Sequence, residues 1–187
     1  SKSGERGIFN REASKKQAEK YGRRDPNYEF GTNPCSEIIL RPYQFCNLTE
    51  VVVRETDTYE DLKRKVKVAT ILGTIQSSYT RFPYLRKVWQ KNTEEERLLG
   101  VSLTGIMDNP LMTTVNGKLS GVLDDLRNIA LATNHEYADL LDIPQSAAIT
   151  CVKPSGTVSQ LVDSASGIHA RHSPYYIRTV RGDNKDP

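Results

Sequence analysis

The sequence predicts an α/β fold in which parallel strands alternate with helices. Two observations lead to this prediction. Two long segments carry apolar residues at helical spacing, and short apolar segments rich in β-branched residues lie before, between and after them. Strands that alternate with long helices pack as a layered or barrel-shaped parallel sheet. No internal repeat or low-complexity run interrupts this pattern.

Short elements are predicted before the first long helix. A helix is expected over residues 12–21, and residues 30–37 are expected to form a loop. Pro34 favours the loop because it restricts its own backbone and that of the preceding residue. Residues 37–40 and 47–54 carry β-branched side chains and are predicted to be extended.

The first long helix is predicted to begin near residue 58. Asp57 with Glu60, or Thr58 with Asp61, has the spacing of a capping box. The apolar residues that follow at helical intervals are Leu62, Val66, Ala69, Leu72, Ile75 and Tyr79. Pro83 is expected to lie beyond the end of this helix.

A second long helix is predicted over residues 119–141, after a shorter helix at 85–90, a turn at 94–98 and a buried strand at 99–106. The predicted apolar face of the long helix consists of Val122, Leu123, Leu126, Ile129, Ala130, Tyr137, Leu140 and Leu141.

The last part of the chain is predicted to contain two more strands and a short helix. Residues 147–152 form an apolar segment, and a turn at 154–159 leads into a helix at 158–162. Residues 175–181 are predicted to be the final strand.

The composition excludes several classes of protein. With 26 basic and 23 acidic residues the formal net charge is +3, which gives no reason to expect a nucleic-acid partner. No apolar run approaches the roughly 18–20 residues of a membrane helix, and no signal peptide is visible, so no membrane contact is expected. An odd count of three cysteines without an export signal predicts a cytoplasmic protein. Because the chain begins with Ser1, we expect it to be an excerpt of a longer protein.

The most unusual segment is Asn33-Pro34-Cys35-Ser36-Glu37. In an extended chain the side chains at i and i+2 point to the same side, so Asn33, Cys35 and Glu37 can converge on one ligand. A sulfur, an amide and a possible general base suit chemistry on a hydroxylated substrate. The alternative from spacing alone is a buried loop cysteine beside a solvated glutamate.

Other candidate residues have an ordinary interpretation beside the functional one. Cys46 opens an extended segment and is typical of a core cysteine. The glycine-containing turn at 154–159 could bind phosphate through free backbone N–H groups, or could be an ordinary helix start. No metal site is predicted, since His169 and His172 have no carboxylate near them in the sequence.

Two motifs in this order resemble those of ribonucleotide reductases. The first is Gly31-Thr32-Asn33-Pro34-Cys35-Ser36-Glu37-Ile38 with Cys46-Asn47-Leu48-Thr49, and the second is Lys153-Pro154-Ser155-Gly156-Thr157-Val158-Ser159 with Gly167-Ile168-His169. The resemblance extends over nearly the whole chain. It implies the ten-stranded α/β barrel of that family, with a central finger loop at about 30–37 and a phosphate loop at about 153–159. Residues 1–187 would then be a partial catalytic barrel domain.

The resemblance also implies roles for individual residues. Cys35 would carry a thiyl radical that abstracts the 3′ hydrogen of a ribonucleotide, Glu37 would accept the 3′-hydroxyl proton, and Asn33 would orient the sugar. Cys46 resembles one member of the cysteine pair that supplies two electrons. The substrate-binding residues implied are Asn33, Pro34, Cys35, Ser36, Glu37, Pro154, Ser155, Gly156, Thr157 and Val158.

Pro34 and the eleven-residue step to Cys46 resemble the adenosylcobalamin-dependent, monomeric branch, which implies ribonucleoside triphosphates as substrates and a thioredoxin-type reductant. A metal-cofactor (class I) diphosphate reductase large subunit and a non-catalytic nucleotide-binding module remain as alternatives. In the family the partner of Cys46 lies upstream of the finger loop, where this chain has no cysteine. Cys151 matches no partner position and is predicted to be a core residue.

Overall fold

The computed structural model describes residues 7–20, 22–114, 116–177, 179 and 181–185. The elements in chain order are α1 (Arg11–Glu19), β1 (Gly31–Thr32), β2 (Ile39–Leu40), β3 (Asn47–Val52), α2 (Tyr59–Ser77), α3 (Lys87–Glu96), β4 (Leu99–Thr104), a 3-10 turn (Ile106–Asp108), α4 (Pro110–Thr113), α5 (Gly117–Leu140) and α6 (Thr157–Leu161). The chain contains both helices and strands, as predicted for an α/β fold, but they do not alternate strictly, because β1, β2 and β3 follow one another, as do α4, α5 and α6.

The central sheet is parallel. Strands β3 and β4 pair in register from Asn47 opposite Leu99 to Val52 opposite Thr104. Residues 147–151 run along the other edge of β4, where the Val101 amide donates to the Ile149 carbonyl at 2.8 Å. This last segment forms a single parallel bridge, so the strand predicted at 147–152 is only partly present. The described residues thus place three parallel segments side by side. The short strands β1 and β2 form a separate antiparallel pair.

Helices α2 and α5 cover one face of this sheet and form the core with it. The buried core residues are Val51, Val53, Leu62, Val66, Ala69, Leu99, Val101, Met112, Leu126, Ala130 and Ile149. At the start of α2 the structure selects the second of the two predicted capping boxes. The Asp61 amide donates to Thr58 Oγ1 at 3.2 Å, and the Thr58 amide donates to Asp61 Oδ2 at 3.1 Å.

The predicted apolar faces of the two long helices are partly wrong. Six residues assigned to them are exposed, namely Leu72, Ile75, Tyr79, Leu123, Leu140 and Leu141. The second half of α2 instead packs through small residues because the sheet approaches closely. A Cβ atom added at Gly73 would lie 3.4 Å from Leu99 Cδ2. Polar groups join the helices here: Asn134 Nδ2 donates to Thr74 Oγ1 and to Ser146 Oγ, each at 3.0 Å.

Several predicted element bounds differ from the structure. Helix α3 begins later than the predicted 85–90 helix and includes part of the turn predicted at 94–98. The strand predicted at 37–40 is limited to Ile39–Leu40. The final strand predicted at 175–181 is wrong for residues 175–177, which are exposed and have no strand partner among the described residues. Residues 178 and 180 lie outside the described residues. Among the described helices, none has the length and apolar character needed to span a membrane.

Candidate active site

The segment from Asn33 to Glu37 is a tight turn between β1 and β2. The Ser36 amide donates to the Asn33 carbonyl at 3.0 Å, and Ser36 has a left-handed backbone with φ +65°. The Ile38 amide then donates to Asn33 Oδ1 at 3.1 Å. The predicted convergence of Asn33 and Glu37 is therefore produced by a chain reversal and not by an extended segment. Cys35 lies at the tip of the turn and is exposed.

Glu37 is a buried carboxylate whose two oxygens have different surroundings. Its side chain is 2% exposed. Oε1 accepts from Asn33 Nδ2 at 2.6 Å and from Lys153 Nζ at 2.9 Å. Oε2 is buried and has no hydrogen-bond partner in the part of the chain that the structure describes. Burial opposes ionisation of Glu37, but the hydrogen bonds from Lys153, from the Glu37 backbone and from Asn33 outweigh it, so the pKa lies below the ordinary value.

Lys153 joins the turn at 33–37 to the segment at 153–159. The hydrogen bond to Glu37 raises the pKa of Lys153, and the Cys35 thiol adds to this effect as a further partner. The Lys153 side chain is 26% exposed, so its ammonium group keeps part of its hydration. Sequence reasoning included Lys153 in a motif but gave it no role. Its position directly before Pro154, at the start of the predicted phosphate loop, was the sequence feature that could have pointed to a role.

Cys46 and Cys151 are half-buried free thiols near this carboxylate. Burial raises the pKa of Cys46, and the negative charge of Glu37 adds to the increase. Burial, then Glu37, then Cys46 raise the pKa of Cys151 to about 12. At neutral pH both thiols are therefore protonated.

The environment of Cys151 depends on Gly100 in β4. A Cβ atom added at Gly100 would lie 3.1 Å from Cys151 Sγ and 3.1 Å from Ile38 Cδ1, and it would collide with Leu48. These three atoms are ends of side chains, so a larger residue would require them to shift, whereas glycine lets the sheet and the turn at 33–37 pack closely without that shift. The prediction of Cys151 as a core residue is met only in part, because Cys151 packs against β4 but is half-buried and lies outside the buried core cluster.

The segment at 153–159 packs against residues 166 and 167, which follow it in the chain. Ser155 is buried, and its hydroxyl has no partner among the residues described. The Ser166 hydroxyl donates to the Ser155 carbonyl. Gly167 has φ +54°, and an added Cβ atom there would lie 3.4 Å from the Lys153 carbonyl oxygen. Thr157 and Val158 begin helix α6 and are exposed, as are Pro154 and Gly156.

An ion-pair cluster that sequence reasoning did not find holds the following segment. Arg171 Nε contacts Asp108 Oδ1 at 3.0 Å, and Arg171 Nη1 contacts Asp163 Oδ1 at 2.8 Å. The hydrogen bonds to Asp108 and then Asp163 raise the pKa of Arg171. The cluster fixes the chain that follows α6 against the turn after β4.

Comparisons with known proteins place this geometry in context. No family model matches the chain. It is 29% identical over 217 residues to the adenosylcobalamin-dependent ribonucleoside-triphosphate reductase of Lactobacillus leichmannii, covering 98% of this chain and 28% of that protein. It is 35% identical over 162 residues to a probable enzyme of the same name from Dictyostelium discoideum, covering 81% of this chain and 20% of that protein.

A solved structure agrees with these sequence relatives. The crystal structure of a B12-dependent (class II) ribonucleotide reductase superposes with a TM-score of 0.63 and 25% sequence identity, over 74% of this chain and 22% of that one. This chain is homologous to a segment of the class II ribonucleotide reductases. It spans less than a third of the length of the curated reductases it matches. The predicted resemblance to this family is confirmed.

The described residues form three parallel segments and no closed barrel, so the ten-stranded barrel and its central finger loop stay predictions. Cys35 is exposed in the described segment.

Proposed function

We propose that this chain is part of the catalytic barrel of an adenosylcobalamin-dependent ribonucleoside-triphosphate reductase and carries its radical cysteine, Cys35. One observation supports this above the others. Glu37 is a buried glutamate with two donors on one oxygen and none among the described residues on the other, and it lies two residues from an exposed thiol and hydrogen-bonds an amide. The set of Asn33, Cys35 and Glu37 matches the chemistry needed to remove a hydroxyl group from a sugar. The names of the relatives supply the substrate class.

The proposed reaction begins at the 3′ carbon of the sugar. The Cys35 thiyl radical takes the 3′ hydrogen atom and becomes a thiol, leaving a carbon radical. Glu37 Oε2 accepts the 3′-hydroxyl proton, and the 2′-hydroxyl leaves as water after gaining a proton. Asn33 is fixed by Ile38 and hydrogen-bonds the sugar, which orients the reacting atoms.

A cysteine pair that includes Cys46 supplies two electrons and two protons and becomes a disulfide. One proton is the one that the leaving 2′-hydroxyl takes, and the other goes to the 2′ carbon. Glu37 returns its proton to the 3′ oxygen, and Cys35 returns the hydrogen atom to the 3′ carbon, which restores the thiyl radical. The balance is one ribonucleotide and one dithiol giving one deoxyribonucleotide, one disulfide and one water. A thioredoxin-type dithiol then reduces the disulfide by thiol exchange. The second cysteine of the pair is proposed to lie upstream of the turn, in a longer polypeptide.

When bound, adenosylcobalamin would supply the radical that initiates this chemistry. Cys35, at the tip of the turn at 33–37, is the thiol that this radical would oxidise, and none of the described residues covers it. We assign none of the described residues to holding the cofactor. What this chain contributes is the thiol, its placement at the tip of a turn and the neighbouring acid–base groups.

The proposed substrate site extends from the turn at 33–37 to the loop at 153–159. Lys153 physically links the two segments, and the buried Ser155 hydroxyl lacks a partner within the described ranges. In the complete barrel of ten strands, the turn would form the tip of a central finger loop, and the loop at 153–159 would receive the substrate phosphates. We propose that the complete enzyme is a cytoplasmic monomer.

Substitution of Cys35 by Ser in the full-length polypeptide tests the proposal. Nucleotide binding should survive while deoxynucleotide formation falls below detection. Cys151→Ala is the matched control, since its thiol is protonated and packed against Gly100, and most of the activity should remain. Formation of deoxynucleotide by Cys35→Ser would contradict the assignment of Cys35 as the residue that carries the radical. A wild-type protein that binds nucleotide without turnover would favour the non-catalytic module.

Two further measurements separate the remaining alternatives. Activity that requires a metal-containing partner subunit, and not adenosylcobalamin, would favour a class I reductase. The isolated 187-residue chain is expected to form no deoxynucleotide, because the partner of Cys46 is proposed to lie outside it.

A further inference from the structure

We propose that Lys153 is a positioning residue that pins one oxygen of Glu37 and leaves the other, Oε2, to accept the proton of the substrate hydroxyl. This inference rests on the proposed function and deepens it. Nothing in the family motifs gives Lys153 a role.

The geometry fixes the plane of the Glu37 carboxylate. Oε1 receives two donors, Asn33 Nδ2 at 2.6 Å and Lys153 Nζ at 2.9 Å. The Asn33 amide is itself held, since its oxygen accepts from the Ile38 backbone. With Oε1 occupied twice, rotation of the carboxylate would break both bonds. Oε2 is therefore directed to one place, and it is buried without a donor among the described residues.

Lys153 is anchored independently of Glu37. Pro154 restricts the backbone conformation of the lysine before it. The carbonyl of Lys153 lies against Gly167, where an added Cβ atom would approach to 3.4 Å. The lysine thus belongs to the same short segment as the proposed phosphate loop. A substrate whose phosphates occupy that loop would meet Glu37 in a fixed position.

The charges that face Glu37 explain why the neighbour is a cation. A carboxylate that is 2% exposed loses most of its hydration, which disfavours the ionised form. Cys46 and Cys151 are protonated neighbours that provide no positive charge. Arg23, Arg24 and Arg127 line a cavity of about 300 Å³ that Glu37 also lines. Among the described hydrogen bonds to Glu37, Lys153 is the cationic donor.

The test compares Lys153→Met with Lys153→Arg in the full-length reductase polypeptide. Glu37 accepts a proton only when ionised, so kcat/KM falls as the pH drops through its pKa. Without the lysine, fewer hydrogen bonds counteract the effect of burial, and the pKa of Glu37 rises. In Lys153→Met the acid limb of the kcat/KM profile should therefore move to higher pH by about one unit or more. At a fixed pH below the limb, this shift lowers kcat/KM about tenfold. In Lys153→Arg, which keeps the positive charge, the acid limb should lie close to its wild-type position.

Lys67→Met is the matched control. Lys67 makes an exposed ion pair with Glu136 at 3.7 Å, far along the chain from the site residues. Its loss should leave the pH profile unchanged. A profile of Lys153→Met that overlays the wild-type profile would overturn the inference.

A readout without turnover keeps the inference separate from the proposed function. Isotope-edited infrared spectroscopy of the Glu37 carboxyl group measures its titration directly. The midpoint should rise in Lys153→Met, or in Lys153→Gln if the methionine variant does not fold, and an unchanged midpoint would contradict the inference. Turnover by Cys35→Ser would instead defeat the proposed function and leave this midpoint unaffected.

Discussion

Two buried glutamates in this chain, Glu96 and Glu37, are bound in contrasting ways. Both Glu96 oxygens are occupied, because Arg24 Nε and Nη2 donate to Oε1 and Oε2 at 2.9 Å each and Gln44 Nε2 also donates to Oε2. Arg24 and Glu96 are 4% and 7% exposed. Glu37 has two donors on one oxygen and none among the described residues on the other.

We propose that the difference separates a structural carboxylate from a reactive one. A buried acceptor without a donor costs about 1–3 kcal/mol. Glu50 Oε1 is also buried without a partner among the described residues, so the neighbouring Cys35 thiol, together with the unpaired oxygen, distinguishes Glu37. Glu96 has donors on both oxygens and joins α3 to the chain before β1. Glu37 Oε2 has no donor among the described residues, and Glu37 lies two residues from the exposed Cys35 thiol. The following predictions test this distinction.

Glu37→Gln is expected to have the largest effect on activity. Loss of the proton acceptor should reduce kcat about 10²- to 10⁴-fold. The free energy of unfolding should change by less than about 1 kcal/mol, since Lys153 is partly exposed and can regain hydration. Steady-state kinetics and urea unfolding of the full-length polypeptide measure the two quantities. A large loss of stability with unchanged kcat would reverse the roles assigned to the two glutamates.

Glu96→Gln is the matched variant at the structural carboxylate. It leaves the Arg24 charge buried without its partner, which should lower the free energy of unfolding by about 3–5 kcal/mol. The kcat of the folded fraction should stay within about twofold of the wild type, because Glu96 lies outside the proposed site. Chemical denaturation checks the first expectation. Stability equal to that of the wild type would mean that the ion pair contributes no more than a surface pair.

Gly100→Ala tests whether close packing under the site matters. The added methyl group would collide with Leu48 and press on Cys151 and Ile38, which should lower the free energy of unfolding by about 1–3 kcal/mol. Gly121→Ala is the control, because its added Cβ atom meets nothing within 4 Å on helix α5. That substitution should stabilise the protein by about 0.5–1 kcal/mol. Equal effects of the two substitutions would remove the argument for close packing at position 100.

The smallest expected effect concerns the reactivity of Cys151. Glu37 adds to the burial that raises the pKa of Cys151 to about 12, whereas Glu96 is not among the causes. Glu37→Gln should therefore increase the alkylation rate of Cys151 at pH 8 by roughly a few fold, by increasing its thiolate fraction. Glu96→Gln should leave the rate unchanged in the folded protein. Mass spectrometry after timed iodoacetamide treatment provides the alkylation rates of Cys151. An equal increase in both variants would indicate that local unfolding exposes Cys151, and not that its pKa has changed.

Local signals in the sequence predicted much of the fold. Helices α2 and α5 were recognisable because periodic apolar residues and end signals lie within the helices themselves, and Thr58 and Asp61 form the predicted cap. Cys35 and Glu37 stand out because they are neighbours in the sequence. The final strand at 175–181 was wrong for residues 175–177, since β-propensity without a neighbouring strand does not determine a strand.

Contacts between distant parts of the chain could not be predicted in this way. Lys153 meets Glu37 only after the sheet has brought 147–151 beside β4. The burial of Asn134 likewise depends on Thr74 and Ser146, which come from separate elements. No local pattern marks such partners, because an isolated lysine or asparagine is usually solvated. The exposure of Cys35 depends on whatever surrounds the turn, and its neighbours in the sequence do not determine it.

The absence of a side chain at Gly100 limits how this protein can diverge. Because Leu48, Ile38 and Cys151 together occupy the space above that backbone position, a larger residue there requires at least one of the three side chains to move or to become smaller. Substitutions at these four positions are therefore expected to occur in compensating combinations. A library that randomises all four together, selected for folded protein, would return variants whose summed side-chain volume is nearly constant.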